Sequence, residues 1–232
     1  MKHGIIAAGH HATAEAAAII LRDGGNAFDA AVAAYFASFI AEPCMSSAGG
    51  GAFANILTAD GKSIFLDFFC QTPKHKRPLS EIEFLPMEID FGEATEIFHL
   101  GMGAIATPGM IAGIYHIHER FGTIPMDVLV QPALALARNG VVMNDFQFFD
   151  VRVLGPILSK EPESKAIFYP DGNPLPVGET LRMPAMADYL EYLVKEGKRE
   201  FYEGEFAHKL VADCQEKGGF LTIEDMRDFQ VI

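Results

Sequence analysis

Tryptophan is absent from these 232 residues, and cysteine is scarce, with three. Cys44, Cys70 and Cys214 form no CxxC pair, and an odd number excludes a disulfide framework, so reduced, intracellular thiols are expected. Basic residues are few: 18 Lys and Arg stand against 31 Asp and Glu, a formal charge of −13. Nucleic-acid binding needs clustered cations, so that partner is excluded, and the acidic surplus serves solubility. Long apolar runs are missing as well. The longest, Ala27 to Ala41, spans about fifteen residues and carries Asp29, short of what a bilayer of roughly 30 Å requires. No basic stretch followed by a long apolar core and cleavage site follows Met1, so no signal peptide is visible, no membrane partner is expected, and a cytoplasmic location is. Metal ligation lacks support too, because His116 and His118 stand two apart and do not share a helix face. No cofactor is expected.

What is present suits a globular chain. Half of the residues are hydrophobic, and 19 Phe and 6 Tyr supply enough apolar area to offset chain entropy. The length fits a single domain over residues 1–232. Ile5 to Ala8 reads as a short buried strand, and Thr13 as the cap of a helix through Arg22. Gly24-Gly25 then allow positive φ and end that helix. Asn26 caps a second helix over Ala27 to Ala41, with Asp29 adding negative charge to its first turn. Glu42-Pro43 stops it. A hairpin follows, Ala52–Leu57 with Ser63–Phe69, turned at Asp60-Gly61.

Lys74 to Leu100 has no period and is expected to be an irregular surface segment. Helices are expected over 110–121, behind Thr107-Pro108-Gly109, and over 126–138 and 146–158. A Pro- and Gly-rich loop should run to Gly178, before helices over 186–196 and 204–216 that end at Gly218-Gly219. Early strands and later helices give an α+β chain of helices packed on a sheet.

A series of segments, in order, resembles the large subunit of gamma-glutamyltranspeptidases, members of the N-terminal-nucleophile hydrolase superfamily. They begin with His3-Gly4-Ile5-Ile6-Ala7-Ala8 and Leu21-Arg22-Asp23-Gly24-Gly25-Asn26-Ala27-Phe28-Asp29-Ala30-Ala31. Glu42-Pro43, Gly49-Gly50-Gly51-Ala52-Phe53 and Ala106-Thr107-Pro108-Gly109 follow. Phe121-Gly122-Thr123-Ile124-Pro125, Ala137-Arg138-Asn139-Gly140, Phe201-Tyr202-Glu203-Gly204 and Gly218-Gly219-Phe220-Leu221-Thr222 complete the series. The resemblance implies part of a four-layer αββα sandwich, completed by a C-terminal small-subunit segment as partner. It also implies a precursor that cleaves itself and exposes a threonine whose own α-amine is the base. A hydroxyl is a weak nucleophile until such a base takes its proton. The implied substrates are small γ-glutamyl or related amides, and an oligomer of such units is compatible with the resemblance.

Two departures stand out. No Thr-Thr or Thr-Ser pair occurs, so no catalytic residue is assigned within this chain and the nucleophile is expected on a segment beyond it. Second, the family's Asp-x-Arg-Glu run, whose arginine grips the substrate α-carboxylate, aligns without a gap on Asp67-Phe68-Phe69-Cys70-Gln71. Phe69 then stands at the arginine, Cys70 at the glutamate, and Phe69, Cys70 and Gln71 are the candidate substrate-binding residues. A phenyl ring offers neither charge nor donors, and losing a charged contact costs about 1.5–3 kcal/mol. An apolar acyl group is therefore expected in place of γ-glutamyl, with Lys76 and Arg77 as replacements only if the loop shifts.

Other residues have plainer expected roles. Gly49-Gly50-Gly51 suits close backbone packing at a strand entry, since no phosphate-loop spacing surrounds it. Cys70 lacks a Cys-His-Asn signature and reads as a pocket or core thiol. His10-His11 fall in a loop, His116 and His118 on opposite sides of a helix, one solvated and one partly buried, and Glu81 to Glu96 on a solvated face. Three function classes follow: an acyltransferase or amidohydrolase subunit, a non-catalytic or acylase-like relative that lost the arginine, and a self-contained binding module. The last is disfavoured because two early strands cannot close a core alone.

Overall fold

The computed structural model describes residues 4–232. Helix α1 (His11–Arg22) is capped by His10, whose Nδ1 accepts the Ala12 amide at 3.1 Å. Thr13, expected as the cap, lies inside the helix, and its hydroxyl donates to Glu42 Oε1 at 2.6 Å. Residues 5–8 form no strand among the described residues, and Ile5 is fully exposed. A strand needs a hydrogen-bonded neighbour, and none lies beside this segment here.

Helix α2 (Ala27–Ala41) has the expected bounds. Asn26 Oδ1 accepts the Phe28 and Asp29 amides at 2.8 and 2.9 Å, while Asp29 Oδ2 accepts the Asn26 amide at 2.9 Å. This reciprocal box satisfies donors that a bare helix start would leave free. Asp29 also accepts from the Thr123 hydroxyl at 2.6 Å and from the Thr123 and Ile124 amides at 2.7 and 3.2 Å. Burial would raise its carboxyl, but the bonds from Thr123, Asn26 and Ile124 win and hold it below the usual range. The helix packs against α1, α3 (Met110–Phe121) and α5 (Gln131–Asn139), which buries it on nearly every side.

Strands β1 (Ala52–Leu57) and β2 (Ser63–Phe68) pair antiparallel, with Ala52 opposite Phe68 and Leu57 opposite Ser63. Gly61, at φ +82°, takes the turn as expected. Ala54, Ile56, Leu66 and Phe68 face the helices, and Phe53, Asn55, Leu57, Phe65 and Asp67 share the opposite face. The far edge of β2 is also paired: Asp67 and Ile232 exchange backbone hydrogen bonds at 2.8 and 2.9 Å. Helices thus cover one side of a small sheet, in an α+β arrangement.

The segment 74–100 is not irregular. It contains a second hairpin, β3 (Leu85–Asp90) with β4 (Thr95–Leu100), turned at Gly92 with φ +95°. Leu85, Met87 and Ile89 alternate with Pro86, Glu88 and Asp90, so a strand's period is present in β3, and its acidic residues suggested only a solvated surface. The expected helix 126–138 is two, α4 (Met126–Leu129) and α5, and the expected 146–158 is also two, α6 (Asp145–Val153) and α7 (Gly155–Leu158). Pro132 and Pro156 sit in the first turns of the second pieces, where a missing N–H costs nothing. The expected loop to Gly178 carries α8 (Pro162–Phe168). Val141–Val142 (β5) pairs with Thr180–Leu181 (β6).

Helices α9 (Pro184–Glu196), α10 (Lys198–Glu203) and α11 (Glu205–Glu216) follow, and the chain does not end its helices at Gly218. A further one, α12 (Ile223–Arg227), starts from a Thr222–Asp225 capping box. The main core joins α2, α3, the inner hairpin face and α9 to α12. A smaller cluster of Met143, Val151, Phe168, Leu181 and Met183 lies under α6 and α8.

Candidate functional site

The three candidate residues follow directly on β2. Phe69 continues the outer face, 52 % exposed, and its amide donates to Asp67 Oδ1 at 2.9 Å. Cys70 turns inward, with its sulfur 3.8 Å from the Gly49 carbonyl oxygen. Burial pushes the Cys70 thiol up, so the nucleophilic thiolate is disfavoured there. Gln71 is fixed by two backbone hydrogen bonds to Thr107, at 3.1 and 2.8 Å, and its Nε2 reaches the Gln230 carbonyl at 3.5 Å.

Glycines make this junction. A Cβ on Gly51 would stand 2.5 Å from the Cys70 nitrogen and 2.7 Å from Phe69 Cα, so no side chain fits there. The Gly50 carbonyl accepts the Gly109 and Met110 amides, at 3.0 and 2.9 Å, at the start of α3. Those are the amides an anion would need, so the three glycines serve close packing. The loop from Phe69 to Gln71 is therefore held between β2, the Gly49–Gly51 turn and Thr107.

Arg77 does not reach toward Phe69 to replace the arginine. Its Nη1 donates to the Gly219 carbonyl at 2.6 Å, and its Nε lies 3.7 Å from Glu81. The residue that sequence reasoning missed is Phe53. Its ring stacks between two others, 5.3 Å from Phe69 at an interplanar angle of 1° and 5.7 Å from Phe65 at 19°. The signal was available, because Phe53 opposite Asp67 puts Phe65 and Phe69 on its two diagonals.

Elsewhere, His10 lies in the bend ahead of α1, as expected, and is buried there, while His11 opens the helix; the His10 Nε2 meets no protein partner beside a cavity of about 20 Å³. Burial, helped by His11, lowers its tendency to protonate against the pull of Glu42. Cys44 lines the same cavity, and burial with Asp150 nearby pushes its thiol up to about 11. His116 and His118 are both half-buried, contrary to the expected split, because His118 Nε2 is held 2.7 Å from the Ile124 carbonyl. Among the described residues no group of three or more His, Cys, Asp or Glu could hold a metal, and no helix is long and apolar enough to cross a membrane.

A family model described as gamma-glutamyltranspeptidase matches residues 13–232. The chain is 34% identical over 234 residues to the glutathione hydrolase proenzyme of Escherichia coli, covering 100% of this chain and 39% of that protein. It is 31% identical to the acylase ACY 1 proenzyme of a Pseudomonas species, covering 98% and 41%. Its fold superposes on the gamma-glutamyltranspeptidase of Helicobacter pylori with a TM-score of 0.86 at 28% identity, over 100% of this chain and 65% of that one. The chain thus spans about two-fifths of the length of the curated relatives it matches.

Proposed function

Because the chain belongs to the gamma-glutamyltranspeptidase family, an N-terminal-nucleophile hydrolase family, we propose that it is the large-subunit part of an amide-cleaving acyltransferase whose acyl group lacks the γ-glutamyl α-carboxylate. In this reading the nucleophile is an N-terminal threonine on a C-terminal segment, released when the precursor cleaves itself. The threonine α-amine takes the hydroxyl proton, the oxygen attacks the amide carbonyl, and backbone amides meet the developing oxyanion; the C–N bond then breaks and the amine leaves with the proton held by the α-ammonium. Water or an amine then takes the acyl group from the threonine ester. The large-subunit contribution is the wall against which the acyl group lies.

The observation that carries the specificity is Phe69. In this reading the gapless match of Asp67-Phe68-Phe69-Cys70 to the family pattern puts Phe69 at the carboxylate-gripping arginine, and what supports it is the loop after Phe69, pinned at Gln71 by two backbone hydrogen bonds to Thr107. Arg77 is engaged with Gly219 and Glu81. A substrate α-carboxylate placed on this wall would lose its water without gaining a partner, and Asp67 on the same face adds a like charge. One relative is named an acylase, which fits cleavage of an amide.

The test uses the protein expressed from its complete reading frame. Purification should give two fragments, the smaller starting with threonine. Butyryl p-nitroanilide should be cleaved with a higher kcat/KM than γ-glutamyl p-nitroanilide. Preference for the γ-glutamyl anilide would overturn the specificity, and an uncleaved, inactive chain would overturn the enzyme.

A further inference from the structure

We propose that Tyr202 is a positioning residue for the acyl site: its hydroxyl caps α3 from α10 and so fixes the Phe69–Gln71 loop. The proposal rests on that loop lining the acyl site and goes beyond it in naming what holds the loop in place. Helix α3 begins at Gly109, which has no side chain to cap it. The missing acceptor comes from α10, where the Tyr202 hydroxyl accepts the Ala112 amide at 3.1 Å. The same hydroxyl donates to the Pro108 carbonyl at 2.9 Å. One buried oxygen thus joins the residue before the helix start to the third helical residue, as a capping side chain would. Two segments far apart in sequence, Thr107-Pro108-Gly109 and Phe201-Tyr202-Glu203-Gly204, meet in this contact.

The cap bears directly on the candidate loop. Thr107, next to Pro108, exchanges backbone hydrogen bonds with Gln71 at 3.1 and 2.8 Å. On the other side of Pro108, the Gly109 amide holds the Gly50 carbonyl, and Gly51 presses against the Phe69–Cys70 backbone. Pro108 is therefore flanked by residues that fasten the loop from both ends. Burial pushes the Tyr202 hydroxyl up despite the bond from Ala112, and the Cys70 thiol adds to the shift, so the proton donated to Pro108 stays in place. The ring is buried and stacks on Phe229 at 5.9 Å and 17°. Without the hydroxyl, the Ala112 amide and the Pro108 carbonyl lose their partner in a buried place, and the backbone between them must shift to recover one.

The experiment follows butyryl p-nitroanilide turnover by the protein from its complete reading frame, with two hydroxyl deletions. Tyr202→Phe keeps the ring and removes the cap. Tyr115→Phe is the control on the same helix, losing a buried bond of 3.1 Å to the Leu193 carbonyl on α9. We expect Tyr202→Phe to raise KM by about two- to fivefold with kcat unchanged, because a loosened wall holds the acyl group less well without touching the nucleophile. Tyr115→Phe should lower the Tm and leave KM as it is. Amide exchange at Gln71 should quicken in Tyr202→Phe and not in Tyr115→Phe. An unchanged KM in Tyr202→Phe, whatever its Tm, overturns the positioning role and leaves the acyl reading standing. Equal rises in KM from the two variants overturn it as well. If the unaltered protein prefers the γ-glutamyl anilide, the acyl reading falls, and the same KM comparison on that substrate decides Tyr202. An uncleaved, inactive chain overturns both.

Discussion

The two faces of the β1–β2 hairpin use similar residues to opposite ends. On the inner face Phe68, Leu66 and Ile56 are 0, 3 and 8 % exposed, pressed against α2 and α3. Phe68 meets Gly109 and Gly113, each so close that a Cβ there would stand 2.1–2.2 Å from a Phe68 atom. On the outer face Phe53 and Phe65 keep half or more of their surface. The contrast separates what the described chain completes from what it offers. Folding of the described residues has used one side and left the other open.

The largest effect should come from testing that contrast directly. Phe68→Ala empties a site closed by glycines and backbone, where the surroundings cannot collapse, and should cost about 3–5 kcal/mol in urea denaturation. Phe65→Ala, three residues away in sequence in the same strand, should cost about 1 kcal/mol or less in the 232-residue chain. Equal losses would erase the distinction between the faces. With so much apolar area uncovered, the 232 residues expressed alone should melt at a lower temperature than the protein from its complete reading frame, and an equal Tm would count against an unfinished outer face.

A polar counterpart to Phe68 is Asp29, fully buried with every direction filled. Asp29→Ala leaves the Asn26, Thr123 and Ile124 amides and the Thr123 hydroxyl unpaired. The expected loss is about 3 kcal/mol, since each stranded buried donor costs about 1–3 kcal/mol and neighbours relax in part. The carboxyl is held low, so its stabilisation is present above about pH 4 and fades as pH falls through the depressed folded value. Asp29→Ala should therefore flatten the acid limb of stability against pH. A loss below 1 kcal/mol would show that the node is dispensable.

The inner side was the legible one. Gly24-Gly25-Asn26 and Asp29 announced a helix stop and a capped start through local chemistry alone, and α2 has the expected bounds. The first hairpin was equally local. The β3–β4 hairpin was missed because Glu88, Asp90 and Glu96 occupy positions that suggested mere solvation. His10 was missed as a cap because imidazole is a rare acceptor at a helix start, and α12 because five residues show no period. Ile5 to Ala8 has strand composition, but composition supplies no partner. At the candidate site, Phe69 was found through the family pattern, and Phe53 needed the hairpin register.

A smaller effect, on specificity rather than stability, should come from Phe69→Arg. The guanidinium would stand near Asp67 on the outer face and could bind a substrate carboxylate through paired, charge-assisted bonds. The kcat/KM ratio of γ-glutamyl over butyryl anilide should rise about tenfold for each 1.4 kcal/mol gained. Stability of the 232-residue chain should change little, because Phe69 is half exposed and loses only its stacking on Phe53. An unchanged ratio would place the acyl group elsewhere, and the alanine variants of Lys76 and Arg77 would then report where the carboxylate binds.

The smallest effect belongs to His10, which sits on the closed side but is not fully satisfied. Its Nδ1 must be unprotonated to accept the Ala12 amide, and its Nε2 has no protein partner. A charged ring would lose the cap and carry charge into a buried site. Its folded pKa is depressed by burial, so the unfolded chain binds the proton first as pH falls. Stability is then whole above about pH 6.5 and declines as pH drops toward the lower folded value. Asp29 is held below the ordinary aspartate value, so it keeps its charge between pH 7.5 and 5.5 and adds nothing to the change there. His10→Asn keeps an acceptor for the cap and removes the titration. Urea midpoints at pH 7.5 and 5.5 should converge for His10→Asn and diverge for the unaltered protein. Parallel declines in both would mean that the ring takes its proton without disturbing the start of α1.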